Sequence, residues 1–446
     1  MKILIAMLGL GDRKPRKDNP NRIGGYGEET YTIAWTDPPL ERRLEYHQPL
    51  LAEALGAEQL WIVCTDEAGE AHLESLCAAH PVDRVVHIPK GVEPTEFWEM
   101  FEGILTALEA LETDSEEVSE PHELHLDLTH GFRVQPVFLL EAVRYLCELH
   151  SDRFRLAGIH YNFFEEKGQP APLIPVTPIL EMATVASEIQ QFLRYGVAEP
   201  LAARLEQVAK AKREEIIAEA RAAGRKPTKS DFAAPVLSEL DGLSRQLRSF
   251  GGVARMNLSP VAAPVTRNLL ELARESKEAF TGSLAPLGRA LARLGEELER
   301  LLPTEKHAIW AWHLALARWA LERSLTQQAL THANELTTTR MCEEQGLDPF
   351  DLETRKREGR KLSQYFQGKL RPPEIWAELV RALEKVNGDR NEVNHAYMQK
   401  VRAQMKAKDV LNIGDKLRKD IEEVLAIHGS FGELPDPALL DRGRET

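Results

Sequence analysis

Leu124-His-Leu-Asp-Leu128-Thr129-His130-Gly131-Phe132-Arg133 reads as a strand, a glycine-containing turn and the start of a helix, and it sets the class of the N-terminal region. Glu123–Leu128 is short and apolar and ends in turn residues, as a buried strand does. Arg133–Leu149 has apolar residues at helical spacing, with Pro136 in its first turn, where a helix needs no N–H. The turn brings a hydroxyl, backbone amides and a guanidinium together through Thr129, Gly131 and Arg133. That donor set suits a phosphate at a helix N-terminus. A purely structural strand-to-helix turn is the competing reading. No second titratable partner lies close to His130 in sequence, so recognition fits this loop better than catalysis.

Outward from this stretch, strands and helices alternate. Strands are predicted at Lys2–Leu8, Thr30–Trp35, Gln59–Thr65, Val82–Ile88 and Arg155–Phe163, and helices at Leu50–Leu55, Gly69–Ala79 and Thr95–Leu111. The alternation predicts a Rossmann-like α/β domain with a mostly parallel sheet. In such sheets ligands collect beyond the carboxyl ends of strands, so Gly9-Leu10-Gly11, Thr65-Asp66 and Thr129–Arg133 become the candidate ligand loops. Gly9-x-Gly11 is not a dinucleotide fingerprint. Lys14 stands where a third glycine would be, and Asp12-Arg-Lys-Pro15 does not open a helix, which excludes an NAD enzyme.

Pro172-Leu-Ile-Pro-Val-Thr-Pro178 carries three prolines in seven residues and reads as a linker, after which almost everything is helical. The expected division is a sheet domain over 1–171, a linker and connecting helix over 172–200, a helical domain with insertions over 201–430 and a tail over 431–446. Trp310, Trp312 and Trp319 with Leu314 and Leu316 read as a packed helix core rather than a base-stacking surface. The acidic segment Glu112–Glu123 reads as an exposed loop.

The chain has 446 residues, 43% of them hydrophobic, and a net charge of -14. That sign excludes nonspecific coating of nucleic acid and leaves local basic stretches as the route to RNA. Two are present: seven Lys/Arg against one Glu over 355–371, and seven against Asp409 and Asp415 over 400–419. No apolar run reaches bilayer length, so a cytoplasmic protein without a membrane partner is expected. Cys64, Cys77, Cys147 and Cys342 show no CxxC spacing and lie in apolar patterns, which predicts core residues and no metal site.

A second chemical signal lies at Arg390-Asn391-Glu392-Val393-Asn394-His395. Arginine and histidine recur at similar spacing at Arg42/His47, Arg144/His150, Arg153/His160, Arg155/His160 and Arg300/His307, so context must choose. Asn387-Gly388 reads as a helix stop, Asp389 as an N-cap and Glu392 as its capping-box partner, which starts a new helix at Arg390. Asn391 and His395 then share a face, with Arg390 one turn nearer the amino end. An imidazole can move a proton near neutral pH, and a guanidinium can hold a phosphate. A solvated helix start with an incidental histidine is the bland alternative.

Together, Leu126-Asp-Leu-Thr-His-Gly-Phe-Arg133 and Arg390-Asn391-x-x-x-His395, in this order and on these two domain types, resemble the CARF–HEPN ribonucleases of type III CRISPR systems. The resemblance implies a homodimer whose paired CARF domains bind a cyclic oligoadenylate activator, expected to be cyclic tetra-adenylate. It also implies HEPN domains that form one composite, metal-independent site for single-stranded RNA, with no cofactor needed for catalysis. Carried onto this chain, it puts ligand contacts at Gly9, Leu10, Gly11, Thr65, Thr129, His130, Gly131 and Arg133, and nuclease residues at Arg390, Asn391 and His395. The helical stretch from Pro200 to Met341 exceeds a minimal HEPN bundle and has no counterpart. Two other readings remain: a nucleotide-sensing regulator without nuclease activity, and a phosphodiesterase that degrades cyclic oligoadenylate in the sheet domain.

Overall fold

The structure is a computed structural model that describes residues 1–11, 26–111, 120–165, 169–257, 259–303, 308–394 and 407–430. It divides into two compact units, Met1–Glu181 and Met182–Thr446.

The N-terminal unit runs β1 (Lys2–Leu8), β2 (Glu29–Ile33), β3 (Leu40–Leu44), α1 (Gln48–Leu55), β4 (Gln59–Cys64), α2 (Asp66–Ala79), β5 (Arg84–His87), α3 (Pro94–Glu109), β6 (His122–Asp127), α4 (Gln135–Leu149), β7 (Phe154–Asn162) and β8 (Ala171–Pro175). The sheet order is β3-β2-β8-β7-β6-β1-β4-β5. β1 pairs in parallel with β4 on one side and β6 on the other, while β2–β3 and β7–β8 are antiparallel. Successive side chains of a strand point to opposite faces, and both faces of β1 are buried. Ile3, Ile5 and Met7 pack with Ile104, Leu108, Leu139 and Val143 of α3 and α4. Leu4, Ala6 and Leu8 pack with Leu50, Leu51, Ala68 and Leu76 of α1 and α2. From β1 the order proceeds to β4 and β5 in one direction and to β6 and β7 in the other. The crevice between β1 and β6 is therefore the topological switch point.

Two strands depart from the sequence expectation. The stretch expected to begin a linker at 172 forms β8, whose Ala171 and Leu173 are buried and which pairs with β2 and β7 before α5 starts at Pro178. Its prolines obscured it; each partner strand bonds only part of this short strand, so it tolerates residues without an N–H. β3 was missed because Glu41, Arg42 and Arg43 occupy its centre; charge on an edge strand deters pairing with other chains. In the expected acidic loop, 112–119 lie outside the described residues and Glu123 belongs to β6.

The second unit holds α5 (Pro178–Tyr195), α6 (Glu199–Ala222), α7 (Pro235–Met256), α8 (Ser259–Ala279), α9 (Ala285–Leu301), α10 (Ile309–Glu322), α11 (Thr326–Glu344), α12 (Leu352–Phe366), α13 (Glu374–Asn394) and α14 (Ala407–Ser430), with α5 starting at the end of the first. α10 is apolar nearly all round, and Trp310, Trp312, Trp319 and Leu316 are buried in the core as expected. The helix stop at Asn387-Gly388 is overturned: α13 continues through it to Asn394, so no helix begins at Arg390 and Asp389 is not an N-cap. Trp376, Leu379, Val380, Leu383 and Val386 bury one stripe of this helix, in the same core as Leu417, Ile421, Val424 and Leu425 of α14. An interior glycine costs about 1 kcal/mol, less than one such buried side chain contributes.

Cys64 and Cys342 are buried as expected, but Cys147 is partly buried and Cys77 is exposed. Cys77 follows Leu76, which fills the buried stripe of α2, and one residue turns a helix by about 100°. Among the described residues no helix is long and apolar enough to cross a membrane.

Candidate ligand-binding site

β1, β4 and β6 end side by side, with Leu8 level with Cys64 and Ala6 level with Asp127. The loops beyond them enclose a cleft of about 270 Å³. Gly9, Leu10, Gly11, Thr65, Thr129, His130 and Gly131, all singled out from sequence, line it together. Arg133, the eighth, is exposed and is not among the lining residues.

The β6 loop is braced from beneath. Asp127 is fully buried; its Oδ2 lies 2.8 Å from His47 Nε2, and its Oδ1 accepts from the Thr129 amide at 3.1 Å and from the Thr129 hydroxyl. The same hydroxyl oxygen accepts from the Asn162 amide at 2.8 Å. Thr129 is thus committed to holding the loop, which corrects the expectation that its hydroxyl serves a phosphate. Burial pushes the Asp127 carboxyl up, but the charge and hydrogen bond of His47, the His130 ring and the Thr129 hydroxyl outweigh it and leave the pKa lowered. The carboxylate is ionised at neutral pH.

Backbone geometry explains the glycines. Gly131 has φ +94°, and a Cβ there would meet Gln135 Oε1 and Met7 Cε, each at 2.9 Å. A Cβ on Gly9 would lie 3.1 Å from the Gly131 amide nitrogen, so the two loops touch backbone to backbone. The buried Gln135 side chain clamps the assembly: Oε1 accepts from the Phe132 amide at 2.9 Å, and Nε2 donates to the carbonyls of Pro89 at 3.0 Å and Lys90 at 3.3 Å. Thr65 caps α2 by accepting from the Ala68 amide at 3.3 Å, which leaves its hydroxyl proton free to donate and sets a helix N-terminus at the cleft.

His130 packs against Tyr26 and His47, with ring centroids 4.8 and 5.1 Å away. Burial, then the neighbouring His47, lowers its pKa to about 3, so it is a neutral imidazole at physiological pH. Tyr26 lines the cleft and bonds Gly9. His72 lies 3.2 Å from the Leu10 carbonyl through Nε2. Sequence reasoning missed Tyr26, Ala68 and Gln135 in the lining and His47 and His72 behind it, and it quoted Phe132 and Asp127 in the loop motif without giving either a role. A glutamine four residues after the turn glycine, in the first turn of a helix, was a usable signal for Gln135. His47 had entered only as half of a rejected Arg/His pair.

In the helical unit, the backbone of Arg390 and Asn391 lies in α13, their side chains are outside the described residues, and so is His395. Several competing arginines are engaged: Arg42 with Glu53 at 3.6 Å, Arg144 with Glu141 at 3.2 Å, Arg155 with Glu123, and Arg300 with Glu297 at 3.7 Å. The first basic stretch is partly neutralised. Arg355 pairs with Glu335, Lys356 with Glu353 at 3.0 Å, and both Arg357 and Lys361 with the buried Glu358 at 3.0 Å. Among the described residues no group of three or more His, Cys, Asp or Glu is placed to hold a metal.

Residues 4–165, from β1 through β7 and including every loop of the cleft, match the family model described as the CARF domain of the CRISPR system endoribonuclease Csx1. The N-terminal unit carries a CARF domain. CRISPR-associated protein MJ1674 of Methanocaldococcus jannaschii is 30% identical over 115 residues, 24% of this chain and 16% of that protein, so the match spans a small part of that relative. Enterococcus italicus Csm6 bound to cyclic hexa-2'-fluoro-hexa-dAMP aligns with 99% of this chain and 98% of its own at 11% identity and a TM-score of 0.32. A likeness that loose carries no further weight.

Proposed function

We propose that this chain is a cyclic oligoadenylate-activated ribonuclease of type III CRISPR defence. The supporting observation is the cleft at the CARF switch point, where Gly9, Gly131 and the N-terminus of α2 meet with no carboxylate among the described lining residues. Such a surface, built from glycine backbone and a helix end, favours phosphodiester oxygens. Cyclic oligoadenylate, cyclic tetra-adenylate in the first instance, is the activator, and two copies of the chain share it. Arg133, exposed beside the cleft, supplies a guanidinium to its outer face.

The helical unit acts as a HEPN-type nuclease on single-stranded RNA, with Arg390, Asn391 and His395 from both copies. His395 takes the proton of an RNA 2′-hydroxyl as its oxygen attacks phosphorus. The bond to the 5′ oxygen breaks, that oxygen receives a proton, and a 2′,3′-cyclic phosphate and a 5′-hydroxyl remain. Arg390 stabilises charge on the phosphorane, and Asn391 orients the phosphate. Within the cleft, a histidine with a pKa of about 3 is a weak base, which favours recognition there over turnover of the activator.

The test is cleavage of labelled RNA in EDTA with each cyclic oligoadenylate supplied separately. Ligand-dependent cleavage that falls at least about 10²-fold in His395→Ala supports the reading. Cleavage with none of the ligands, or full activity in His395→Ala, sinks it.

A further inference from the structure

Through its hydroxyl, Tyr26 occupies the backbone of Gly9 at the mouth of the switch point. Its hydroxyl accepts from the Gly9 amide at 3.1 Å and donates to the Gly9 carbonyl at 2.9 Å. Its ring centroid lies 4.8 Å from both His72 and His130 and 5.5 Å from Tyr46. Gly9 is the first residue beyond β1, at the switch point, and it has no side chain to shield its amide from the cleft. In glycine loops that cradle phosphates, such an N–H points at a phosphate oxygen. Here a phenol oxygen takes that place. Burial pushes the phenol pKa up, so the occupant stays neutral. A neutral acceptor on an amide is weaker than a charged one by about half, so an anionic oxygen can replace it.

We infer that Tyr26 is an internal competitor for the ligand: a phosphodiester oxygen displaces the phenol from the Gly9 amide, and the tyrosine thereby raises the ligand concentration needed for binding. This rests on the proposed recognition of cyclic oligoadenylate. A ligand without a charged acceptor gains nothing over the tyrosine already there, so the contact also selects for anions.

The experiment is calorimetric titration of the full-length protein with cyclic tetra-adenylate and, separately, cyclic hexa-adenylate, using wild type, Tyr26→Phe and Tyr46→Phe. Tyr26→Phe keeps the ring but leaves the Gly9 amide unpaired in the free protein, so binding should tighten about three- to tenfold. Tyr46→Phe removes a neighbouring hydroxyl that is 3.3 Å from His72 and does not line the cleft, and it should stay within about twofold of wild type. Equal or weaker binding by Tyr26→Phe overturns the inference while leaving ligand recognition intact. Equal tightening in Tyr46→Phe also overturns it, because the effect would then be general loosening. No binding of either ligand by wild type or Tyr26→Phe overturns the recognition reading, and the inference falls with it.

Discussion

The two glycine loops that meet at the cleft are held by different means. The β6 loop rests on buried charge and on fully used side chains: Asp127 with His47, Thr129 between Asp127 and Asn162, and Gln135 clamped to three backbone groups. Among the described residues, the β1 loop is held at Gly9 by a phenol and at Leu10 by an imidazole. One wall is a fixed cradle, and the other holds contacts that a ligand can exchange. A binding site needs the first for geometry and the second for response.

The comparison breaks most severely at the buried His47–Asp127 contact. His47→Ala leaves Oδ2 of a fully buried carboxylate without its 2.8 Å partner, which costs about 3 kcal/mol or more because the group is charged, readable as a lowered denaturation midpoint. The same pair gives an acid limit. Asp127 has a folded pKa below its unfolded value, so its contribution is fully present above the ordinary carboxylate pKa of about 4 and is lost as pH falls through the lower folded value. Asp127→Asn should flatten that part of the stability curve.

Next comes Gly131→Ala, which combines a positive φ with contacts at 2.9 Å and should cost about 2–3 kcal/mol in chemical denaturation. Gln135→Ala should cost about 1–3 kcal/mol and weaken ligand binding mainly through a faster off-rate, because the Phe132 amide and two carbonyls lose their partner. Arg133→Ala should change stability by no more than about 0.5 kcal/mol, since the side chain is exposed. If Arg133 touches the ligand, its loss appears only in binding and shrinks as salt rises. A rigid β6 wall predicts this ranking; a large stability loss in Arg133→Ala and a small one in His47→Ala would reverse it.

Much of the sheet was legible because its signal is local. β1 was read at its true bounds, Lys2–Leu8, since an unbroken apolar run between polar ends is what a strand buried on both faces requires. The loops followed from the rule that ligands gather at carboxyl ends, and seven of their chosen residues share the cleft. The supporting contacts were illegible because they join residues distant in the chain: His47 and Asp127 are 80 positions apart, and Tyr26 and Gly9 are 17 apart. β8 and α13 failed for a related reason. In each, local breaker residues were overruled by packing, Ala171 and Leu173 in the sheet core and Leu383 and Val386 in the helical core. Thr129 lines the cleft, but its hydroxyl is taken by Asp127 and by the backbone amide of Asn162, and the second of these lies 33 positions further on, out of reach of a local reading.

β1 belongs to two cores at once and is bonded to a neighbour along each edge. Its amides can exchange with solvent only when the sheet as a whole opens, so Leu4 and Ile5 should be among the last in the unit to take up deuterium. The floor of the cleft is therefore as long-lived as the native state itself, and a ligand arriving there meets a surface whose lifetime is set by global unfolding rather than by breathing of a loop.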